Sequence, residues 1–163
     1  MQDDLGLHLR EAKPGDCRSL WTLANDPVVR ATSFSEKQIE WVTHVEWFNW
    51  TIRSPNRRIF VAENAKGDFV GQIRFDLERE EAIVSVEIVP SERGGGLGAA
   101  LIRAGTRRCL DEVPSLAVVH AFIKTSNEAS VGAFTKANYH AAGLTEIGGH
   151  EAYDMVFQRD SEE

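Results

Sequence analysis

Four glycines fall within five residues, at Gly94, Gly95, Gly96 and Gly98. They separate the alternating run VSVEIVP, which ends at Pro90, from a helix-like run that begins at Leu97. Glycine loses more backbone freedom on ordering than any other residue, so such a cluster needs a physical reason. The first N–H groups of a helix have no partner within the helix and sit at the positive end of its dipole. Glycines let that backbone approach an anion without Cβ atoms in the way. Residues 94–98 therefore suit a phosphate or pyrophosphate; the plain alternative is a flexible strand-to-helix connection. The loop is not G-x-x-x-x-G-K-[ST], because neither Lys-Ser nor Lys-Thr follows the glycines. Nor does it make a good dinucleotide fingerprint. Its strand lies in a meander, and no acidic residue ends a next strand about 20 residues on.

A second group lies on the strands before the loop. Strand alternation places Gln72, Arg74 and Asp76 on one face and Ile73 and Phe75 on the other. On the next run Ser85 and Glu87 share a face, opposite Val84, Val86 and Ile88. A hairpin turn at Arg79-Glu80 would set Gln72 and Arg74 across from Glu87 and Ser85. Sheet faces covered by helices are usually apolar, so this polar cluster is either a functional pocket or a structural Arg74–Glu87 pair under a helix.

The elements that must position these groups follow from the hydrophobic period. LGLHLREAK alternates at Leu5, Leu7 and Leu9 and predicts a first strand. PGDCRSLWTLANDP predicts a short helix, with Asp16 as N-cap and Asn25-Asp26-Pro27 ending it. VVRATSFSEKQ reads as a loop. IEWVTHVEWFNWTIRS predicts a second helix, with Trp41, Val45, Phe48 and Ile52 along one face. Three strands then follow, RRIFVAEN, FVGQIRFDLE and AIVSVEIVP. The glycine loop leads into a helix whose inner face carries Leu97, Leu101, Ile102, Gly105 and Cys109. SLAVVHAFIKTS is a strand, NEASVGAFTKANY a helix, and AGLTEI and EAYDMVFQRD closing strands. The order β-α-α-β-β-β-α-β-α-β-β implies an α/β fold: a mixed, mostly antiparallel central sheet with helices on both faces.

The 163 residues suit one domain over 1–163. The formal net charge of -7 argues against a general nucleic-acid or membrane-surface binder. No apolar run approaches a membrane span, and the first residues lack the pattern of a signal peptide. Two isolated cysteines, Cys17 and Cys109, read as reduced thiols, which suits a cytoplasmic protein. The five histidines are scattered, and no metal is expected.

The run Arg93-Gly94-Gly95-Gly96-Leu97-Gly98 resembles the acyl-CoA signature [Q/R]-x-x-G-x-[G/A] of the GNAT N-acetyltransferase superfamily. The element order over nearly the whole chain is similar too. The resemblance implies an acetyl-CoA-dependent N-acetyltransferase with a GNAT-like fold. It implies that the backbone of Gly94, Gly95, Gly96, Leu97, Gly98 and Ala99 holds the CoA pyrophosphate, with Arg93 beside it. Ile88, Val89 and Pro90 would offer backbone groups to the pantetheine arm. Their strand and the one holding Ala121 and Phe122 would splay apart to admit the thioester. Asn127 would bond the cofactor as well as cap the following helix, with Ser130 and Phe134 alongside.

The chemistry implied is attack of a neutral amine on a thioester, which needs a base, donors at the thioester oxygen and a proton for the leaving thiolate. Glu87 becomes the candidate base, directly or through a water, with Ser85 near it. Many members use a tyrosine in the last helix as proton donor. Here Phe134 stands in its place and has no proton to give, which leaves Tyr139 as a weak substitute.

LANDPVVRATSFS with His44, Trp47 and Phe48 resembles the branch that acetylates UDP-linked amino sugars in pseudaminic or legionaminic acid pathways. By that likeness Asn25, Arg30, Ser33, Phe34, His44 and Trp47 would face the acceptor together with Gln72 and Arg74. Arg30 would meet a diphosphate, with Arg74 and Arg58 completing a cationic patch. The partners implied are acetyl-CoA and a small-molecule amine, with assembly into a homodimer left open. Two other readings stay on the page: acetylation of a protein N-terminus, as by ribosomal-protein acetyltransferases, and CoA binding without catalysis.

Overall fold

The computed structural model describes residues 5–160. Seven strands form one sheet in the order β1-β2-β3-β4-β5-β7-β6. They are β1 (His8–Glu11), β2 (Arg57–Glu63), β3 (Phe69–Glu78), β4 (Glu81–Ile88), β5 (Val118–Lys124), β6 (His140–Ile147) and β7 (His150–Gln158). Every neighbouring pair is antiparallel except β4 and β5, which run parallel. The expected mixed, mostly antiparallel α/β sheet is what the chain builds. Leu5 and Leu7 precede β1 rather than alternate within it.

The helices are α1 (Cys17–Ala24), α2 (Pro27–Thr32), α3 (Trp41–Thr51), α4 (Leu97–Glu112) and α5 (Glu128–Lys136). One of them, α2, lies where the sequence reads as a loop. Asn25-Asp26-Pro27 does end α1, and it also starts α2. The Asp26 side chain accepts from Val28 N and Val29 N, and Pro27 takes the first helical position. Asp16 does not cap α1 with its side chain. Its carboxylate is held by Arg10, with both contacts at 2.8 Å, and accepts from Lys13 N.

The larger core lies between the sheet and α4 and α5. It includes Phe60, Ile73 and Phe75 from the sheet, Leu101 and Ile102 from α4, and Phe134 and Tyr139. The α4 face foreseen from its period is the buried one. A Cβ at Gly105 would lie 2.8 Å from Ile73 side-chain atoms, so this glycine lets α4 settle onto β3. On the other face, Leu20 of α1, Phe48 of α3 and Ile59 form a small second core. The buried side of α3 runs through His44, Phe48 and Thr51. Each large apolar side chain buried contributes roughly 1.5–3 kcal/mol, so the α1–α3 layer gains far less from burial than the α4 layer. Polar contacts make up part of the difference: Trp21 Nε1 and Asn25 Nδ2 donate to Ile39 O, and Ile39 N donates to Asn25 Oδ1 at 2.7 Å.

Candidate functional site

β4 pairs with β3 along its whole length, from Glu81 to Ile88 against Glu78 to Gly71, and a two-residue turn at Arg79 (φ 58°) and Glu80 joins them. The register sets Gln72 opposite Glu87 and Arg74 opposite Ser85, as the alternation predicts. On its other side β4 pairs with β5 only from Glu81–Ile83 to Val118–His120. Past Ile83 the two parallel strands lose contact, and a gap opens in the sheet. Val89 N donates to Val70 O, so by alternation Val86 and Ile88 turn their backbone groups toward the gap. Two cavities meet there, of about 520 and 480 Å³. Both are walled by Val29, Thr32, Val86, Glu87, Asn127 and Ser130.

The 480 Å³ cavity runs along the glycine loop, past Ile88, Arg93, Gly94, Gly96, Gly98 and Ala99. Gly94 and Gly96 both have φ of +84°, the left-handed region that suits glycine. A Cβ built on either meets nothing within 4 Å, so it would project into open space along the loop. The α4 ladder begins with Ala100 N donating to Gly96 O at 3.3 Å, which leaves the N–H groups of residues 97–99 without a carbonyl inside the helix. Unobstructed amides at a helix N-terminus fit the pyrophosphate of coenzyme A. Gly95, Val89 and Pro90 flank this cavity without lining it, and the Leu97 side chain lies in the larger core. Arg93 is more occupied than the sequence suggests. Its Nε donates to Ile88 O at 3.0 Å, and its Nη2 pairs with Asp26 Oδ2 at 2.9 Å.

Glu87, Ser85, Gln72 and Arg74 line the 520 Å³ cavity. Burial pushes the Glu87 carboxyl above the usual carboxylate range, against the pull of Arg74, a hydrogen bond from Gln72, and the more distant Arg30 and Arg93. A carboxylate held upward in pKa is a better base near neutrality. The Arg74 guanidinium lies 5.1 Å from the centre of the Trp47 ring, as a cation–π pair at the cavity wall. Phe34, Ser33, His44 and Phe134 also reach this wall.

Several expected roles change. The Asn25 side chain is engaged with Ile39 and lies outside both cavities. Arg58 pairs with Glu112 of α4 on the opposite face, so it adds nothing to a cationic patch here. Arg30 lines the cavity, but its donors hold the carbonyls of Ala24, Ser35 and Lys37 and the Ser33 hydroxyl. It braces the loop after α2 and lends the cavity its charge, without a free fork for a diphosphate. His44 is buried, and burial draws its pKa down. Its Nε2 bonds the Cys17 carbonyl at 2.9 Å, so that nitrogen carries the proton. Tyr139, the substitute proton donor expected from the sequence, lines neither cavity. It is 2% exposed in the larger core, bonded to Thr106 Oγ1 at 2.8 Å, and burial pushes its phenol well above the ordinary value. The α2 residues Val29 and Thr32 were missed. The signal for them was present in Asp26-Pro27, an N-cap followed by proline.

No helix among the described residues is long and apolar enough to cross a membrane. No curated protein matches the chain. Among solved structures, the chain is similar to a spermidine N-acetyltransferase from Vibrio cholerae in complex with CoA and spermine. The TM-score is 0.79 at 21% identity, covering 94% of this chain and 95% of that one. It is likewise similar to AAC(6')-Ib in complex with ribostamycin and coenzyme A, with a TM-score of 0.81 at 17% identity and 94% of each chain covered. At these identities the structural likeness shows the fold alone, and neither protein is named for a sugar nucleotide. Residues 17–139 match the model of the acetyltransferase (GNAT) family. With the splayed strands and the glycine loop at the start of α4, the chain belongs to that family, whose enzymes move an acetyl group from acetyl-CoA to an amine.

Proposed function

We propose that this N-acetyltransferase acts on a primary amine of a small molecule that also carries negative charge. The specific candidate is the 4-amino group of a UDP-linked amino-deoxy sugar. One observation carries this reading: the charged side chains lining the acceptor cavity are Arg30, Arg74 and a single carboxylate, Glu87. A polyamine or aminoglycoside would bring several ammonium groups against two guanidinium groups, with one carboxylate to receive them. An acceptor with a phosphate or carboxylate meets the opposite balance. The Arg74–Trp47 pair adds a flat cationic surface for a ring or an anion.

Acetyl-CoA supplies the activated acetyl group as a thioester. The amides of the glycine loop would hold its pyrophosphate, and the backbone groups of Val86 together with the Ile88 N–H would pair with its arm in the gap between β4 and β5. Glu87, oriented by Gln72, would take a proton from the attacking nitrogen. Arg30, fixed by three backbone carbonyls, keeps the cavity electropositive.

The test is acetyl-CoA turnover by free-thiol release, with a UDP-linked 4-amino-4,6-dideoxy sugar, spermidine, an aminoglycoside and a panel of N-terminal peptides. Turnover should be highest with the sugar nucleotide. Preference for spermidine or the aminoglycoside would overturn the charge argument, and preference for peptides would move the acceptor to protein N-termini. Binding of CoA with no turnover of any amine would favour a non-catalytic role.

A further inference from the structure

We infer that Ser130 is the hydroxyl that meets the leaving sulfur and passes it a proton. The inference rests on the N-acetyltransferase reading above, because it needs a thioester at the junction of the two cavities. When the amine attacks, the C–N bond forms and the C–S bond breaks. One proton leaves nitrogen and one must reach sulfur. Glu87 accounts for the first; the structure has to provide a donor for the second.

The candidates are few. Six residues wall both cavities, and two of them carry a hydroxyl, Thr32 and Ser130. Thr32 Oγ1 donates to Val28 O at 2.9 Å, back along its own helix, so its proton is engaged. Ser130 differs. Its Oγ accepts from Asn127 Nδ2 at 3.1 Å, and no described residue accepts its proton. Asn127 also accepts from Ser130 N at 3.3 Å, so one side chain fixes both the backbone and the hydroxyl of Ser130 at the start of α5. With one lone pair bound to Asn127, the O–H is turned away from it. Other hydroxyls at the acceptor wall do not compete at the junction. Ser33 Oγ donates to Val29 O at 2.6 Å, and Thr43 and Ser85 line the acceptor cavity and not the other one. Phe134 lies four residues after Ser130, on the same side of α5, and shares the acceptor wall with it.

A serine hydroxyl is too weak an acid to give up its proton unaided. Ser130 therefore works as a relay: it donates to sulfur while it takes a proton from a water in the groove. The net reaction stays balanced, with one proton lost from nitrogen to Glu87 and thence to solvent, and one gained by sulfur from solvent through Ser130.

The proposal makes a claim that does not depend on turnover. A hydroxyl aimed at the sulfur stabilises the thiolate of bound CoA and lowers the pKa of its thiol. That pKa is read by the ultraviolet absorbance of the thiolate in the CoA complex of the full chain, beside calorimetric CoA affinity. Ser130→Ala should bind CoA as the parent does at acidic pH. It should raise the thiol pKa by at least about one, the effect of losing a charge-assisted hydrogen bond, and lower kcat by roughly 100-fold. The double variant Ser130→Ala/Phe134→Tyr places a phenol one turn further on the same side and should restore much of both. An unchanged thiol pKa in Ser130→Ala that still binds CoA would overturn the role of Ser130 and leave the acetyltransferase reading standing. Failure of the parent chain to bind CoA would overturn both.

Discussion

Arg93 Nη2 lies 2.9 Å from Asp26 Oδ2, and that same oxygen caps α2 by accepting from Val28 N at 3.1 Å and Val29 N at 3.2 Å. One carboxylate thus joins the arginine before the glycine loop to the helix that helps wall the 520 Å³ cavity. Burial alone would raise the Asp26 carboxyl. Arg93 and the two amides outweigh it and hold it below the usual range. The pair ties the glycine loop to α2 at a point where Val29 and Thr32 border both cavities.

Asp26→Asn should therefore weaken both sites, raising the KM for the acceptor and for acetyl-CoA by several-fold. Asn can still cap α2, so the loss is the ion pair with Arg93, worth about 1 kcal/mol. Because the folded-state pKa lies below the unfolded one, this stabilisation is present at neutral pH and fades as pH falls through the ordinary Asp range and below. The melting-temperature gap between parent and variant should close over that interval. A gap that persists undiminished in acid would mean that charge at Asp26 contributes nothing.

Glu87→Gln should reduce kcat at neutral pH far more than it alters CoA affinity. The raised pKa of Glu87 also sets the pH profile: the acid limb of kcat/KM should lie above the ordinary carboxylate range. Its linkage has the opposite sign to that of Asp26. The folded protein holds the Glu87 proton to higher pH than the unfolded chain, so ionising Glu87 lowers stability as pH rises through that window. The variant should melt at or above the parent temperature at neutral pH. Full activity across pH would remove Glu87 as base.

Gly96→Asp and Gly96→Asn separate charge from strain in the glycine loop proposed to hold the pyrophosphate. Both side chains tolerate positive φ better than most, and both project into the groove. The carboxylate adds repulsion of the phosphate, so calorimetry should show a much larger affinity loss for Asp than for Asn. Equal losses would place the phosphate elsewhere.

Tyr139→Phe should leave turnover nearly unchanged and lower stability by about 1 kcal/mol, from the hydrogen bond lost to Thr106. A kcat collapse with normal melting would return Tyr139 to the chemistry.

Arg74→Ala should raise the KM for an anionic acceptor while leaving CoA affinity alone, and added salt should narrow the difference from the parent. If neutral and anionic amines suffer equally, Arg74 serves packing against Trp47 rather than charge recognition.

Much of this was legible in the residues because it is local. The period-two runs and the turn at Arg79-Glu80 set Gln72 across from Glu87, since alternation and a two-residue turn leave little choice of register. The glycine cluster between Pro90 and Leu97 pointed to an anion because backbone geometry near a helix start depends on a handful of adjacent residues. Even α2 is written locally, in Asn25-Asp26-Pro27, but the same tripeptide also ends α1, which hides the second start.

What only the tertiary structure decided is which polar groups remain available. Asn25 and Arg30 look like ligands in the sequence, and the fold turns them into braces for residues 35–39. Tyr139 sits five residues beyond Phe134 in the chain, and packing against Thr106, 33 positions away, takes it into the core. Arg93 finds Asp26 across 67 positions. A hydrogen-bond partner is chosen by distance in space, and burial then decides how strongly it is held. The sequence by itself determined where chain direction, glycines and carboxylates must lie; the packing of α1–α3 against the splayed sheet decided which of them face the gap with a proton or a charge left to offer.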